Sequence, residues 1–189
     1  MGYKMADKRT ERTLALIRST FAELIIEQNE AKFTVQELTA RAGINRKTFY
    51  LHFQSIEDLY YDLELRAEER LQKILTKNGF FNGKFSLKVF LNSLQELIDT
   101  IPALYEKLLT EDNYRFLFRN IKNRIKESVL SKVLKDGENP FKIEMVVEFV
   151  FSGLMKMFRV WHARKDEMPR EEMIELAHKL IRDGIKEIQ

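Results

Sequence analysis

Three features of the sequence predict an all-α fold of about nine helices. Glycine and proline are scarce, at 7 and 3 of 189 residues, whereas the helix formers Leu, Glu and Lys are abundant. Apolar residues recur at three-to-four spacing along most of the chain, which is typical of helices with one buried face. Capping residues and turn signals separate the apolar stretches. We expect a three-helix N-terminal domain with a helix-turn-helix, followed by a larger helical domain.

The first predicted helix runs from about Arg9 to Gln28, after a loose arm over residues 1–8. Its apolar stripe comprises Leu14, Ile17, Phe21, Leu24 and Ile25. Arg9, Arg12 and Arg18 lie near its start and are candidates for phosphate contacts. A helical hairpin follows.

Two short helices joined by a tight turn are predicted over residues 34–51. Thr34 caps the first, and Glu37 three residues later completes a capping box. Gly43 can adopt a left-handed conformation without penalty, so it ends this helix and turns the chain. Asn45 then caps the second helix. Two short helices joined by a turn with glycine form a helix-turn-helix.

The second short helix has a composition that suits a nucleic-acid groove. Phe49 and Phe53 lie four residues apart and share one face, which we expect to be buried. The other faces carry two cations, a hydroxyl, a phenol and an imidazole, and no acid; these are Arg46, Lys47, Thr48, Tyr50 and His52. A cationic surface turn, or a packed hairpin with no role in DNA binding, would explain the same residues.

A longer run of residues resembles the DNA-binding domain of TetR-type (TetR/AcrR) transcriptional regulators. The matching segments are Phe33-Thr34-Val35, Leu38-Thr39-Ala40-Arg41-Ala42-Gly43-Ile44 and Arg46-Lys47-Thr48-Phe49-Tyr50-Leu51-His52-Phe53. The likeness covers roughly residues 10 to 60. It implies DNA contacts from Thr48, Tyr50 and His52, with Arg46, Lys47 and the capping residues Thr34 and Asn45 as further candidates. Where the family usually has a phosphate-contacting Lys, this chain has Ile56. That contact is therefore in doubt, and Gln54 and Ser55 are candidates to replace it in part.

Beyond the hairpin, six more helices are predicted. Ser55, supported by Asp58, caps a helix from Ile56 to about Thr76. The turn-rich residues 78–83 mark a domain boundary, which divides the chain into a DNA-binding domain (1–56), a connecting helix (57–77) and an effector-binding and dimerisation domain (78–189). The remaining helices are expected over 86–99, 102–109, from a cap at Asp112 or Asn113 to about 135, over 140–163 and over 169–188.

The predicted helix over 140–163 is apolar on nearly all sides, so it must be buried on two of them. One side would face its own core and the other a second subunit, with Gly153 permitting close approach. The resemblance implies a homodimer formed by the last two long helices as a four-helix bundle. Phe151, Met155 and Ile181 are the residues that we expect to face outward.

Aromatic residues are abundant after residue 78, and most of them are expected to fill the core. The resemblance implies that helices five to eight enclose a small apolar or aromatic effector. The wall candidates are Tyr105, Tyr114, Phe118, Phe149 and Trp161. Phe151-Ser152-Gly153-Leu154 followed by Trp161 is also similar to the branch that includes regulators of dihydroxyacetone kinase operons. The likeness to that branch keeps two alternatives to a small-molecule effector open: the effector is a partner protein, or the regulator has no effector.

Composition argues against other classes of protein. The chain has no Cys, and its three His lack the spacing of a helical metal site, so no metal or cofactor is expected. No nucleophile elbow, phosphate loop or dinucleotide fingerprint is present, which argues against an enzyme.

No apolar run approaches ~18 residues, so a cytoplasmic protein without membrane segments is expected. Residues 1–56 hold nine cations against six acids, and the rest of the chain is balanced, so the net charge of +3 lies in the proposed DNA-binding part.

These observations together predict a sequence-specific DNA-binding transcriptional regulator. The expected form is a ligand-responsive repressor that binds a palindromic operator as a homodimer. The alternative is a helical protein-interaction module or an activator of the same fold that works with a partner protein.

Overall fold

The computed structural model describes residues 2–82, 86–133 and 139–185. These residues form nine α-helices and one short 3₁₀ turn, without a strand, so the predicted all-α fold is confirmed. The helices are α1 (Gly2–Glu27), α2 (Val35–Arg41), α3 (Arg46–Tyr50), α4 (Ile56–Lys77), α5 (Leu87–Ile98), α6 (Pro102–Thr110), α7 (Arg115–Val133), α8 (Pro140–Ala163) and α9 (Arg170–Ile185). The 3₁₀ turn is Asp112–Tyr114.

The helix α1 begins at Gly2, so the predicted loose arm is wrong for residues 2–8. No proline interrupts this segment, and once a helix is nucleated each further residue adds a hydrogen bond at little cost. Residue 1 lies outside the described residues. The longer α1 extends the N-terminal domain by nearly two turns.

Side-chain caps begin most of the helices where the sequence predicts them. The side chains of Ser55, Ser86 and Asn139 accept hydrogen bonds from backbone N–H groups in the first turns of α4, α5 and α8. The predicted cap of α7 is wrong, because the Asn113 side chain donates to the carbonyl of Asn29 at 2.8 Å and the 3₁₀ turn precedes the helix. The predicted ends of α7 and α9 fall in residues 134–138 and 186–189, outside the described residues.

The hydrophobic core is continuous from α1 to α9. Phe21 of α1 packs edge-to-face on Tyr60 of α4 at 4.9 Å between ring centroids, and Tyr60 packs on Phe116 of α7 at 5.3 Å. The helix α4 therefore contacts both the N-terminal helices and the larger bundle. The predicted division at residues 56 and 77 stays a prediction.

The segment between α1 and α2 is tied to the larger bundle by polar contacts. The phenol of Tyr114, which is fully buried, donates to the carbonyl oxygens of Gln28 at 3.0 Å and of Glu30 at 3.3 Å. Lys107 donates to the side-chain oxygen of Asn29 at 2.5 Å. These bonds fix residues 28–30, which lead into the helix-turn-helix, relative to α6 and to the 3₁₀ turn before α7.

The inward side of α8 differs from the one we predicted. Phe151 and Met155 are 4% and 7% exposed and belong to the core, together with Leu154 and Phe158. The prediction that Phe151 and Met155 face outward is therefore wrong, and Ile181 of α9 is only half-buried. Because α8 is apolar around most of its circumference, the sequence pattern could not identify the core side.

Other large apolar residues of these two helices are exposed. They are Phe141, Met145, Phe149 and Val160 of α8 and Leu176 and Leu180 of α9. None of the helices in the described ranges has both the length and the apolarity that spanning a bilayer requires.

Candidate nucleic-acid interface

The helix-turn-helix consists of α2, a glycine turn and α3. Gly43 has a positive φ of 63°, a conformation that residues with a side chain adopt only at a cost. The turn is closed by a hydrogen bond of 3.0 Å from the N–H of Ile44 to the carbonyl of Thr39. Leu38 of α2 and Phe49 of α3 are fully buried, so each helix contributes to the core that orients the other.

The recognition helix α3 is held by one cap and two aromatic side chains. The side-chain oxygen of Asn45 accepts a hydrogen bond from the N–H of Lys47 at 2.8 Å. Phe49 is fully buried and Phe53 is 7% exposed, and their ring centroids are 5.9 Å apart. Tyr50 packs its ring edge-to-face on Phe49 at 5.5 Å. Burial of this aromatic pair fixes which side of α3 faces solvent.

The outward side of α3 carries the candidate DNA-binding residues. Arg46 and Lys47 are exposed, Tyr50 is 57% exposed, and Thr48 and His52 are half-buried. Thr34 is also exposed, and its hydroxyl accepts a hydrogen bond from the N–H of Glu37 at 3.1 Å, so its side chain acts as a helix cap. These candidates are thus exposed or half-buried, and α3 itself carries no acidic side chain.

The cations of this domain differ in whether a carboxylate already holds them. Arg41 donates two hydrogen bonds of 2.5 Å to Glu27, and this bond lowers the pKa of Glu27. Arg18 forms a two-point ion pair with Asp62 of α4, at 2.5 and 2.9 Å, so the suggested role of Arg18 in phosphate binding is not supported.

Neither Arg46 nor Lys47 forms an ion pair with any residue that the structure describes. The same holds, within the described ranges, for the exposed Arg9 and Arg12 of α1. These four side chains can therefore meet phosphates or bases without first breaking an internal pair.

Ile56, at the position where the resemblance implies a phosphate-contacting lysine, is buried. It is 7% exposed and belongs to the core. The N–H of Gln54 donates to the carboxylate of Asp58 at 2.7 Å, and the N–H of Asp58 donates to the Ser55 hydroxyl at 3.3 Å. This reciprocal cap engages the Ser55 hydroxyl as an acceptor and the backbone N–H of Gln54. The side chain of Gln54 is exposed, so its role in replacing the missing phosphate contact stays a prediction.

Two of the five predicted effector-wall residues line a common cavity. Tyr105 and Phe118 face an apolar cavity of about 40 Å³ among α5, α6, α7 and α8. The others do not line it: Tyr114 is bonded to the segment after α1, Trp161 donates its indole N–H to the carbonyl of Met168 at 2.9 Å, and Phe149 is 78% exposed. Aromatic content alone could not separate cavity walls from the packing of the bundle.

These features define a helix-turn-helix DNA-binding protein, with α3 as the recognition helix. Residues 17–63 match a family model described as bacterial regulatory proteins, tetR family. The matched segment runs from the middle of α1 to the first turns of α4 and includes the whole helix-turn-helix. Residues 17–63 are therefore similar to the DNA-binding domain of tetR-family proteins, and the chain that carries them is a DNA-binding transcriptional regulator.

Proposed function

We propose that this regulator is a ligand-responsive repressor that binds a palindromic operator as a homodimer. The observation that supports this most directly is the outward side of α3. It offers two unpaired cations, a phenol, an imidazole and a hydroxyl, and it contains no acid that would repel phosphates.

Each side chain on α3 has a distinct proposed role. Arg46 and Lys47 lie in the first turn and enter the major groove, where a guanidinium can donate two hydrogen bonds to one guanine. Thr48 contacts a base or the groove wall. Tyr50 is the last residue of the helix and His52 lies two residues beyond it; both hold phosphates, which position the helix without reading sequence.

The dimer is proposed to form through the exposed apolar face of α8 and α9. Phe141, Met145 and Phe149 are spaced four residues apart, so they form one stripe along α8, and they are 68%, 58% and 78% exposed. Leu180 of α9 is 59% exposed. Burying this face against a second copy removes apolar surface from water, at about 25 cal/mol per Å².

Effector binding is proposed for the apolar cavity between α5 and α8. At about 40 Å³ it is far smaller than the few hundred Å³ of typical ligand sites, so a ligand must displace side chains. Met155 lines the cavity and is unbranched, so it can change rotamer at low cost. The expected effector is small and apolar or aromatic.

Selection of bound duplexes from a random DNA library would test the proposed operator recognition. We expect the full chain to enrich a palindrome whose half-sites are centred about 34–36 Å apart, one helical turn of DNA. Arg46→Ala should lose this enrichment, whereas Arg119→Ala, a change of an exposed arginine on α7, should retain it. Enrichment of no sequence, or of an asymmetric one, would contradict the proposal.

A reporter driven by the selected operator separates repression from activation. Repression predicts that expression of the protein lowers the reporter signal, and that loss of Arg46 restores it. An increase in signal would instead indicate an activator.

A further inference from the structure

A cleft on the other side of the bundle is larger than the cavity between α5 and α8. It has a volume of about 340 Å³ and lies between α1, α4 and α6. This volume falls at the lower end of the range for small-molecule sites. The cleft exists without any rearrangement of side chains, unlike the smaller cavity.

The floor of the cleft is apolar. Phe21, Leu59 and Leu104 line it and are at most 2% exposed, and Tyr105 closes one side. Tyr105 thus lies between the two cavities and lines both. A floor of this kind favours an alkyl chain or an aromatic ring over a polar ligand.

The rim of the cleft is cationic. Arg18, Arg66 and Arg70 line it, with Glu11 and Asp62 as the acids. Asp62 is already bound by Arg18. Arg66 is exposed and forms no ion pair with the described residues. Apart from the Arg18–Asp62 pair, the rim therefore has two guanidinium groups, those of Arg66 and Arg70, and one carboxylate, that of Glu11.

The position of Arg70 is fixed by a neutral partner. One of its nitrogens donates to the hydroxyl of Thr100 at 3.1 Å, and within the described chain it has no carboxylate partner. Burial raises the pKa of Tyr105, and the positive charges of Arg70 and Arg66 oppose this increase. Both arginines line the cleft, as Tyr105 does.

We propose that the cleft between α1, α4 and α6 binds a small amphiphilic monoanion, whose apolar body covers Phe21, Leu59 and Leu104 and whose anionic head meets Arg66 and Arg70. A guanidinium can hold a carboxylate through two parallel hydrogen bonds, and such charge-assisted bonds are the stronger kind. The ligand class follows from the combination of an apolar floor with an excess of cations at the rim.

The cleft adjoins the DNA-binding elements. Its α1 wall packs on α2, and its α4 wall directly follows the helix-turn-helix. A bound anion would lie between these helices and α6. This location differs from the cavity among α5–α8, so the cleft is a separate site.

Calorimetric titration of the full chain with decanoate would test this proposal. Decanoate should bind saturably, with one molecule per chain, and nonyltrimethylammonium, with the same alkyl chain and the opposite charge, should bind at least about tenfold more weakly. The double variant Arg66→Gln and Arg70→Gln should lose at least about tenfold in affinity for decanoate, whereas Arg119→Gln should not. Equal affinity for the two probes, or an unchanged affinity in the double variant, would overturn the proposal.

A second pair of measurements does not depend on the arginines. Ala15 lies on the exposed side of α1 and lines the cleft, so Ala15→Trp should fill the cleft and abolish binding while helical content is retained. A decanoate analogue with a photoreactive group should label peptides of α1, α4 and α6. Labelling confined to α5, α7 and α8 would show that the ligand occupies the smaller cavity and would also overturn the proposal.

Because these titrations contain no DNA, their outcome is independent of operator recognition. A chain that selects an operator but does not bind decanoate would refute only the cleft. A chain that binds decanoate but enriches no DNA sequence would refute only the proposed repressor function.

Discussion

A cation contributes fully to DNA binding only when no carboxylate of the protein already holds it. Arg41 and Arg46 are five residues apart, yet Arg41 is bonded to Glu27 of α1 and Arg46 has no ion-pair partner among the described residues. Releasing Arg41 to a phosphate would cost the internal pair, so its net gain would be small. Arg41 therefore stabilises the packing of α2 on α1, whereas Arg46 is the arginine that we propose for DNA contact.

Substitution of Arg46 and of Tyr50 should affect DNA binding differently. Arg46→Ala removes a proposed base contact and should relax preference at particular base pairs by ~1–3 kcal/mol each. Tyr50→Phe removes a proposed phosphate contact and should weaken binding to all sequences about equally. Fluorescence anisotropy with the operator and its single-base variants, at fixed salt, measures both effects. Unchanged operator affinity in both variants would mean that α3 does not enter the groove.

The burial of His162 predicts that the free energy of unfolding depends on pH. It is 8% exposed, its Nδ1 has no hydrogen-bond partner in the part of the chain that the structure describes, and it lies beside Phe158 and Trp161. Burial lowers the pKa of His162; the nearby Glu106 opposes this shift and Lys165 adds to it. The folded state thus holds its proton less tightly than the unfolded state, whose pKa is 6.5.

The contribution of His162 to stability is therefore complete above pH 6.5 and is lost as the pH falls towards the lower pKa of the folded state. The free energy of unfolding, measured in urea, should decrease from about pH 8 to about pH 5.5. His162→Leu should reduce this decrease, while the exposed-histidine control His178→Gln should keep it. An identical pH dependence in the wild type and His162→Leu would refute the assignment.

At the scale of the elements, α4 and α7 are joined by a polar network around one buried carboxylate. Glu64 of α4 is 6% exposed, and its carboxylate accepts hydrogen bonds from Asn120 at 2.8 Å and Arg124 at 3.1 Å. Arg124 also lies over the ring of Tyr61, 4.5 Å from its centroid. Four polar groups from two helices thus fix how α7 lies along α4.

Removing Arg124 alone should lower the free energy of unfolding more than removing Arg124 and Glu64 together. Arg124→Leu leaves the buried carboxylate of Glu64 without its charged partner and should lower the free energy of unfolding by ~3 kcal/mol. The double variant Glu64→Leu and Arg124→Leu should recover a large part of this loss, since no unpaired charge remains buried. Chemical denaturation of the two single variants and the double variant measures the coupling. Strictly additive losses would show that the pair contributes nothing as a unit.

Helices and caps could be predicted from the sequence because their causes are local. The caps Thr34, Asn45 and Ser55 each need only a side-chain oxygen near the N–H groups of the next turn. The burial of Phe49 and Phe53 followed from their spacing. The side of α8 that faces the core could not be predicted, because nearly every side of that helix is apolar and the choice depends on what packs against it.

The sequence suggested residues for the candidate site, whose role in DNA binding stays a prediction, but it could not predict their ion pairs. Arg18 meets Asp62, 44 residues later, and such a pair leaves no signal in local spacing. The cleft between α1, α4 and α6 was not predicted either, because its walls come from three separate segments of the chain. Spacing predicts which residues share a helix face, whereas pairing across helices depends on the assembled fold.

At the scale of the whole molecule, the operator and the dimer are linked by symmetry. Two copies of α3 can occupy successive major grooves only if a two-fold axis sets their separation. The proposed interface, the apolar face of α8 and α9, belongs to the larger bundle, while α3 lies in the helix-turn-helix near the other end of the chain. The polar contacts of Tyr114 and Lys107 with residues 28–30 help hold the N-terminal helices in a fixed position relative to that interface.

The dimer can be tested with a matched pair of charged substitutions. Leu180 of α9 is 59% exposed and lies in the proposed interface, whereas Leu16 of α1 is 42% exposed and lies outside it. Leu180→Glu should yield monomers in sedimentation velocity at micromolar concentration, with unchanged helical content and weaker operator binding, because a carboxylate would be buried without a partner at the interface. Leu16→Glu should remain dimeric and keep its affinity. A wild-type chain that sediments as a monomer yet binds the palindrome tightly would refute the interface, as would a dimer that tolerates Leu180→Glu.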